Sequence, residues 1–209
     1  MIGKLAAVTA LVLAMTPSVA TAKRACAKPH GYTVEAKTRY AVVYSGPTGD
    51  DPSYGCLFSR GRLVELYDAV DNYTLAGRYV AYEQNSYEPE GTVYYLLTVF
   101  DLRRRTWHTI SPAWIWPDDS GNKDGEDLGY VADVVLRKNG SVAWISCRPV
   151  YPSDYDCGDV GAPTEVWRRD SRGRKRLDAS TGVRLRSLKR EGSTITWRHG
   201  SSRRTAQLK

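Results

Sequence analysis

The chain has 209 residues, 42% of them apolar and 25% charged, and a formal net charge of +7. That length and apolar content support one domain with a real core. Its four cysteines and three histidines include no Cys-x-x-Cys and no close histidine pair, so the composition gives no metal framework.

Residues 1–22 carry the parts of a secretory signal: Lys4, an apolar run over 5–15, and Ala20-Thr21-Ala22 as a cleavage site. About eleven apolar residues fall short of the roughly 20 that span a bilayer, and no later stretch approaches that length. The reading is a removed signal peptide and a single domain over 23–209, secreted or extracytoplasmic and with no transmembrane anchor. Cys26 follows Lys23-Arg24-Ala25, which is not the small or apolar lead of a lipid-modified cysteine. In an oxidising compartment the even set Cys26, Cys56, Cys147 and Cys157 favours two bridges, and three pairings are open. The local pairs Cys26 with Cys56 and Cys147 with Cys157 are preferred, because the last two flank a loop rich in Pro, Asp and Gly.

The first unit reads as strands at 32–36 and 39–45, a break at 46–52, and a hairpin of 55–60 and 63–66. The second reads as 73–75, a turn at Ala76-Gly77, 78–83, a loop at 85–91, then 93–100 and 106–110 around a turn at 101–105. The run at 93–100 is almost wholly apolar, as a strand covered on both faces should be. Residues 111–128 are irregular. A third unit follows as 131–136, a turn at Lys138-Asn139-Gly140, 141–147, 165–170, a turn at Ser171-Arg172-Gly173, and a short strand around Arg176 and Leu177. The fourth has three strands, 183–188, 193–198 and 203–208. No stretch repeats apolar residues at helical spacing over three turns. The second strands start at Tyr40, Arg78, Ser141 and Ser193, and without the two long loops their spacing nears the roughly 40–45 residues of a propeller blade. The expectation is an all-β, propeller-like array of about four small antiparallel blades. An open partial array and a β-sandwich are the alternatives.

The run from Leu136 to Ile145 holds Asn139-Gly140 before Val142-Ala143-Trp144, and Asp170 to Gly173 closes a later strand. This resembles the blades of exported bacterial TolB-like (PD40, WD40-like) β-propellers, in which a Ser-Pro-Asp-Gly turn precedes an Ile-Ala-Phe strand and a later strand ends in Asp-x-x-Gly. Arg137-Lys138 and Asn139 depart from that turn, and residues 77–82 with 100–102 form a looser copy. The resemblance implies a blade fold used for binding, with no catalytic residues to carry over.

Charge is unevenly placed: residues 164–209 hold 14 Lys and Arg against 4 Asp and Glu, whereas 23–163 hold 15 against 19. Arg168, Arg169, Arg172, Arg174, Lys175 and Arg176 crowd one hairpin and form a candidate surface for an anionic partner such as an envelope polysaccharide. Outer-strand cations that block edge pairing are the competing reading, and nucleic acid is the least favoured partner of an exported chain. Trp114 and Trp116 share a strand face beside Asp118 and Asp119, a candidate ligand-binding set. Asp124, Glu126 and Asp127 add oxygen donors, so calcium is a weak option at 118–127, although the spacing is not that of an EF-hand. No nucleophile elbow or phosphate loop occurs. The functional expectation is a non-catalytic module binding a protein or polysaccharide through the loops at 46–54, 85–91 and 148–163. A propeller hydrolase or lyase acting on extracellular polysaccharide is the alternative.

Overall fold

The computed structural model describes residues 26–87, 93–110, 130–147 and 163–209. The signal segment and the loop at 111–128 therefore lie outside the described residues. The strands are β1 (Thr33–Lys37), β2 (Ala41–Ser45), β3 (Ser53–Leu57), β4 (Arg62–Leu66), β5 (Ala69–Ala76), β6 (Tyr79–Tyr87), β7 (Val93–Asp101), β8 (Thr106–Ile110), β9 (Tyr130–Leu136), β10 (Val142–Cys147), β11 (Thr164–Asp170), β12 (Gly173–Ser180), β13 (Lys189–Glu191), β14 (Thr194–His199) and β15 (Ser202–Gln207). They build four antiparallel sheets, each a meander in chain order: β1 to β4, β5 to β8, β9 to β12, and β13 to β15. No helix occurs among the described residues.

Side-chain alternation explains why the sheets stack. In β10 every residue is buried, and successive residues enter different cores. Val142 and Trp144 pack with Ala81, Leu97 and Val99 of the second sheet, while Ala143 and Ile145 pack with Ile195 and Trp197 of the fourth. The first and second sheets meet the same way, through Ala41, Val43 and Leu57 against Val80, Tyr82 and Phe100. A strand buried on both faces reads as a continuous apolar run, because both halves of its period-two pattern must be apolar. Gly55 in β3 makes room for Leu102: a Cβ there would lie 2.4 Å from Leu102 Cδ2.

The outer face of the first sheet carries Val42, Tyr44 and Cys56, covered by Cys26 and Tyr32 of the lead-in. Cys26 is bonded to Cys56, and the Tyr44 hydroxyl donates to the Cys26 carbonyl at 2.8 Å. Cys147 is also disulfide-bonded, and its expected partner Cys157 lies outside the described residues.

The third and fourth sheets are pinned by buried carboxylates. Asp178, 8% exposed at the end of β12, accepts from Trp197 Nε1 at 2.7 Å and Arg204 Nη1 at 2.8 Å, and meets His199 Nδ1 at 3.1 Å. Burial pushes its carboxyl up, but the Trp197 and His199 hydrogen bonds and the Arg204 charge outweigh this and hold it below the usual range. Asp170 does similar work at the other end of the sheet. It accepts from the Lys209 amide at 2.9 Å and pairs with Arg168 and Arg172, while Arg137 donates to the Leu208 carbonyl.

One expected strand, 183–188, is replaced by irregular chain. Only Val183 bridges to His199, and pairing resumes at β13. The Leu188 amide donates to Asp133 of β9 at 2.8 Å, and Arg186 takes a positive φ of 55°, so a tertiary acceptor wins over the ladder.

Candidate functional site

Antiparallel meanders send alternate turns to opposite ends of a sheet. The β1–β2, β3–β4, β5–β6, β7–β8 and β9–β10 turns converge on one cleft of about 860 Å³. It is lined by Arg39 and Tyr40, residues 57–60, Gly77, Arg78 and Tyr79, Arg103, and Lys138 and Asn139. Each of the five turns contributes one cation, and among the described residues no Asp, Glu, His or Cys lines the cleft.

The turns themselves are locally determined. Thr38 Oγ1 accepts the amides of Tyr40 and Ala41, both at 3.2 Å, which closes the β1–β2 turn around a short polar side chain. The Phe58 amide donates to the Tyr40 carbonyl at 2.9 Å and ties that turn to the next hairpin. In the β7–β8 turn, Asp101 Oδ1 accepts the amides of Arg103 at 2.9 Å and Arg104 at 3.2 Å. Gly77 and Gly140 both have positive φ, 65° and 90°, and both are also packing sites. The Lys138 side chain lies against Gly77, and the Tyr79 ring lies 3.0 Å from where a Gly140 Cβ would stand.

Three of the cations are held on aromatic or acidic supports. The Arg39 guanidinium sits 4.7 Å and the Lys138 ammonium 5.4 Å from the Tyr40 ring centroid. Arg78 Nε pairs with Asp101 at 3.0 Å, and its Nη2 donates to the Tyr79 hydroxyl at 2.7 Å. Arg60 and Arg103 are exposed and have no carboxylate partner among the described residues. Asp101 is buried behind Arg78, so the rim presents positive charge with little to offset it. Such a concave, one-signed lining concentrates field and attracts anions. It offers no paired carboxylates and no nucleophile with an adjacent base.

Of the residues singled out by the sequence, the six cations of the basic hairpin are described, and none of them lines the cleft. Trp114, Trp116, Asp118 and Asp119, and the whole calcium segment 118–127, are outside the described residues. So are 88–91 and 148–162 of the expected recognition loops. Of the third, expected at 46–54, residues 46–52 join β2 to β3 at the end of the first sheet opposite the cleft, and Ser53 and Tyr54 belong to β3.

The basic hairpin is largely engaged within the third sheet. Arg168 and Arg172 grip Asp170, and Arg176 donates to buried Glu165 at 2.7 Å, whose other oxygen accepts from Trp167 Nε1. Arg174 lies 4.4 Å from the Trp167 ring and 5.4 Å from that of Trp144, and these two indoles are stacked 6.1 Å apart. Arg169 and Lys175 complete the hairpin in register with Arg174 and Arg168. His108, half-buried in β8, is pushed down by burial and by the Arg169 charge.

The cleft was missed because its cations are 18 to 35 residues apart in a region whose net charge is negative. A regularity was nonetheless present: the turn after the first and third strands of each early unit holds a cation. No protein-family model and no curated protein matches the chain, so the likeness to TolB-like propellers rests on its motif residues alone.

Proposed function

We propose that the chain is a non-catalytic, extracytoplasmic binding module that takes an anionic ligand in the cleft over its hairpin turns. The observation that carries this reading is the convergence of Arg39, Arg60, Arg78, Arg103 and Lys138 from five turns with no carboxylate in the lining. Cations placed so close together repel one another, and a fold with no anion to receive would gain by mixing signs there. The Cys26–Cys56 bridge supports an oxidising compartment. A glycoside hydrolase of the two-carboxylate kind needs both carboxylates at the bond it cleaves, and no Asp or Glu lines the cleft among the described residues.

The sheets are read as four blades of a propeller-like array whose two ends do not meet. Support comes from the lead-in that covers the first sheet and from the exposed residues of β13 and β15 on the last. A polar or covered terminal face is how open repeat arrays stay soluble.

The test compares two double charge reversals of equal net charge on a sulfated-polysaccharide column. Arg60→Glu with Arg103→Glu should elute at much lower salt than the parent. Lys175→Glu with Arg203→Glu, placed on outer strands away from the cleft, should shift far less. Equal shifts would mean that retention follows net charge, and the cleft reading would fall.

A further inference from the structure

The cleft's cations form an inner and an outer group. Arg39, Arg78 and Lys138 stand on the turns that follow the first strand of each of three sheets, and Arg60 and Arg103 on turns two strands further out. Neighbouring strands lie about 4.8 Å apart, so the two groups are separated by about 10 Å. A ligand with several negative charges spread over that distance pairs with both groups at once, whereas a single phosphate, sulfate or monosaccharide carboxylate leaves most of the five cations without a counter-charge.

The chemistry of the other lining residues narrows the class. Nucleic-acid grooves use open aromatic faces as base-stacking platforms. Here the Tyr40 ring already carries Arg39 and Lys138, and the Tyr79 ring carries Arg78, at 4.9 Å, and packs on Gly140. Both tyrosine rings serve as supports for cations, and Phe58, the third ring of the lining, is partly buried against Val42, Tyr44 and Cys56 of the first sheet. Ser59 and Asn139 add a hydroxyl and an amide among the charges, the donors and acceptors that sugar hydroxyls need. The Asn139 carbonyl oxygen is taken by the Ser141 amide at 3.1 Å, which leaves its NH₂ to donate.

We infer that the occupant is an acidic polysaccharide lying across the cleft from the inner to the outer turns, with its charged groups on both sets of cations. This rests on the anion-binding reading above and adds that the ligand is a chain.

Heparin-derived oligosaccharides of two to ten sugars, titrated into the full chain by calorimetry, test it. Affinity should rise more than tenfold between the disaccharide and the hexasaccharide and then level off. The long form should lose roughly a hundredfold between 50 and 200 mM salt, as expected when about four charges are neutralised. Arg60→Ala and Arg103→Ala should each remove most of the gain with length, weakening the hexasaccharide more than the disaccharide. Lys138→Ala should weaken both, and Lys175→Ala neither. All four are exposed side chains, and unchanged thermal melting establishes that each variant is folded.

A disaccharide that binds as tightly as the decasaccharide would overturn the chain-ligand inference while leaving the anion site intact. If no acidic saccharide of any length binds, both fall. A single-stranded oligonucleotide or polyglutamate of equal charge that binds more tightly than the decasaccharide would overturn the polysaccharide assignment alone.

Discussion

Replacing Asp178 with Ala removes one acceptor shared by three side chains of the last sheet, and the cost can be worked out group by group. Trp197 is 3% exposed, so its indole N–H, left without Asp178, loses a partner inside the core. That orphaned donor costs about 1–3 kcal/mol. The His199 contact is partly buried and adds about 1 kcal/mol as a hydrogen bond. Arg204 is 47% exposed on its side chain, so solvent screening limits its ion pair to less than about 1 kcal/mol. The expected total is about 2–5 kcal/mol, read as a lower denaturant midpoint at unchanged slope. Asp178→Asn keeps one oxygen acceptor and should lose about half as much. Because these contacts join β12 to β14 and β15, the alanine variant should also show faster amide exchange in β14 than in β10. A loss below about 1 kcal/mol, or uniform exchange, would show that apolar packing alone holds the last sheet in place.

The disulfide can be tested in the same way. Closing a separation of 30 residues between Cys26 and Cys56 is worth roughly 3.5 kcal/mol on the chain-entropy account. Cys26→Ser with Cys56→Ser should lower the melting temperature accordingly, and unchanged melting would remove the bridge from the stability account. Gly55→Val forces side-chain atoms into the space held by Leu102 and should cost about 1–3 kcal/mol, partly restored by Leu102→Ala in the same chain. Acid provides a fourth test. Asp170 and Asp178 are both held below the usual carboxylate range, so their contribution is fully present above the unfolded pKa of about 3.9 and is lost as pH falls through the folded values. Stability should therefore drop below about pH 4, and Asp170→Asn should flatten that slope; an unaltered slope would count against the Asp170 cluster.

The strands were legible because their signals are local. A turn such as Lys138-Asn139-Gly140 needs a residue that accepts positive φ, and the apolar runs on either side need only a period of two. The exception at 183–188 shows the limit. Val183 and Leu185 alternate with Arg184 and Arg186 much as a strand would, yet Leu188 breaks that alternation, packs between the third and fourth sheets and gives its amide to Asp133, 55 residues earlier. Nothing near Leu188 announces that acceptor. The cleft was hidden for the same reason, since Arg39 and Lys138 meet on one Tyr40 ring only after three sheets have stacked.

Basic residues in this chain fall into two kinds, and the number of cations in a stretch does not tell them apart. Where an arginine cluster faces a carboxylate with no exposed side-chain surface, as Arg168 and Arg172 face Asp170 and Arg176 faces Glu165, the charge is satisfied within the fold. A ligand would have to compete with an ion pair that is partly out of water, and breaking such a pair is costly. Arg60 and Arg103 have no such partner among the described residues, so an incoming anion loses only their hydration. On the anion-binding proposal, the sparse cations gathered by the turns receive an anion at lower cost than the ion-paired arginines of the densest basic segment. Retention of the paired charge-reversal variants separates the cleft cations from exposed cations outside its lining, because both pairs change net charge by the same amount.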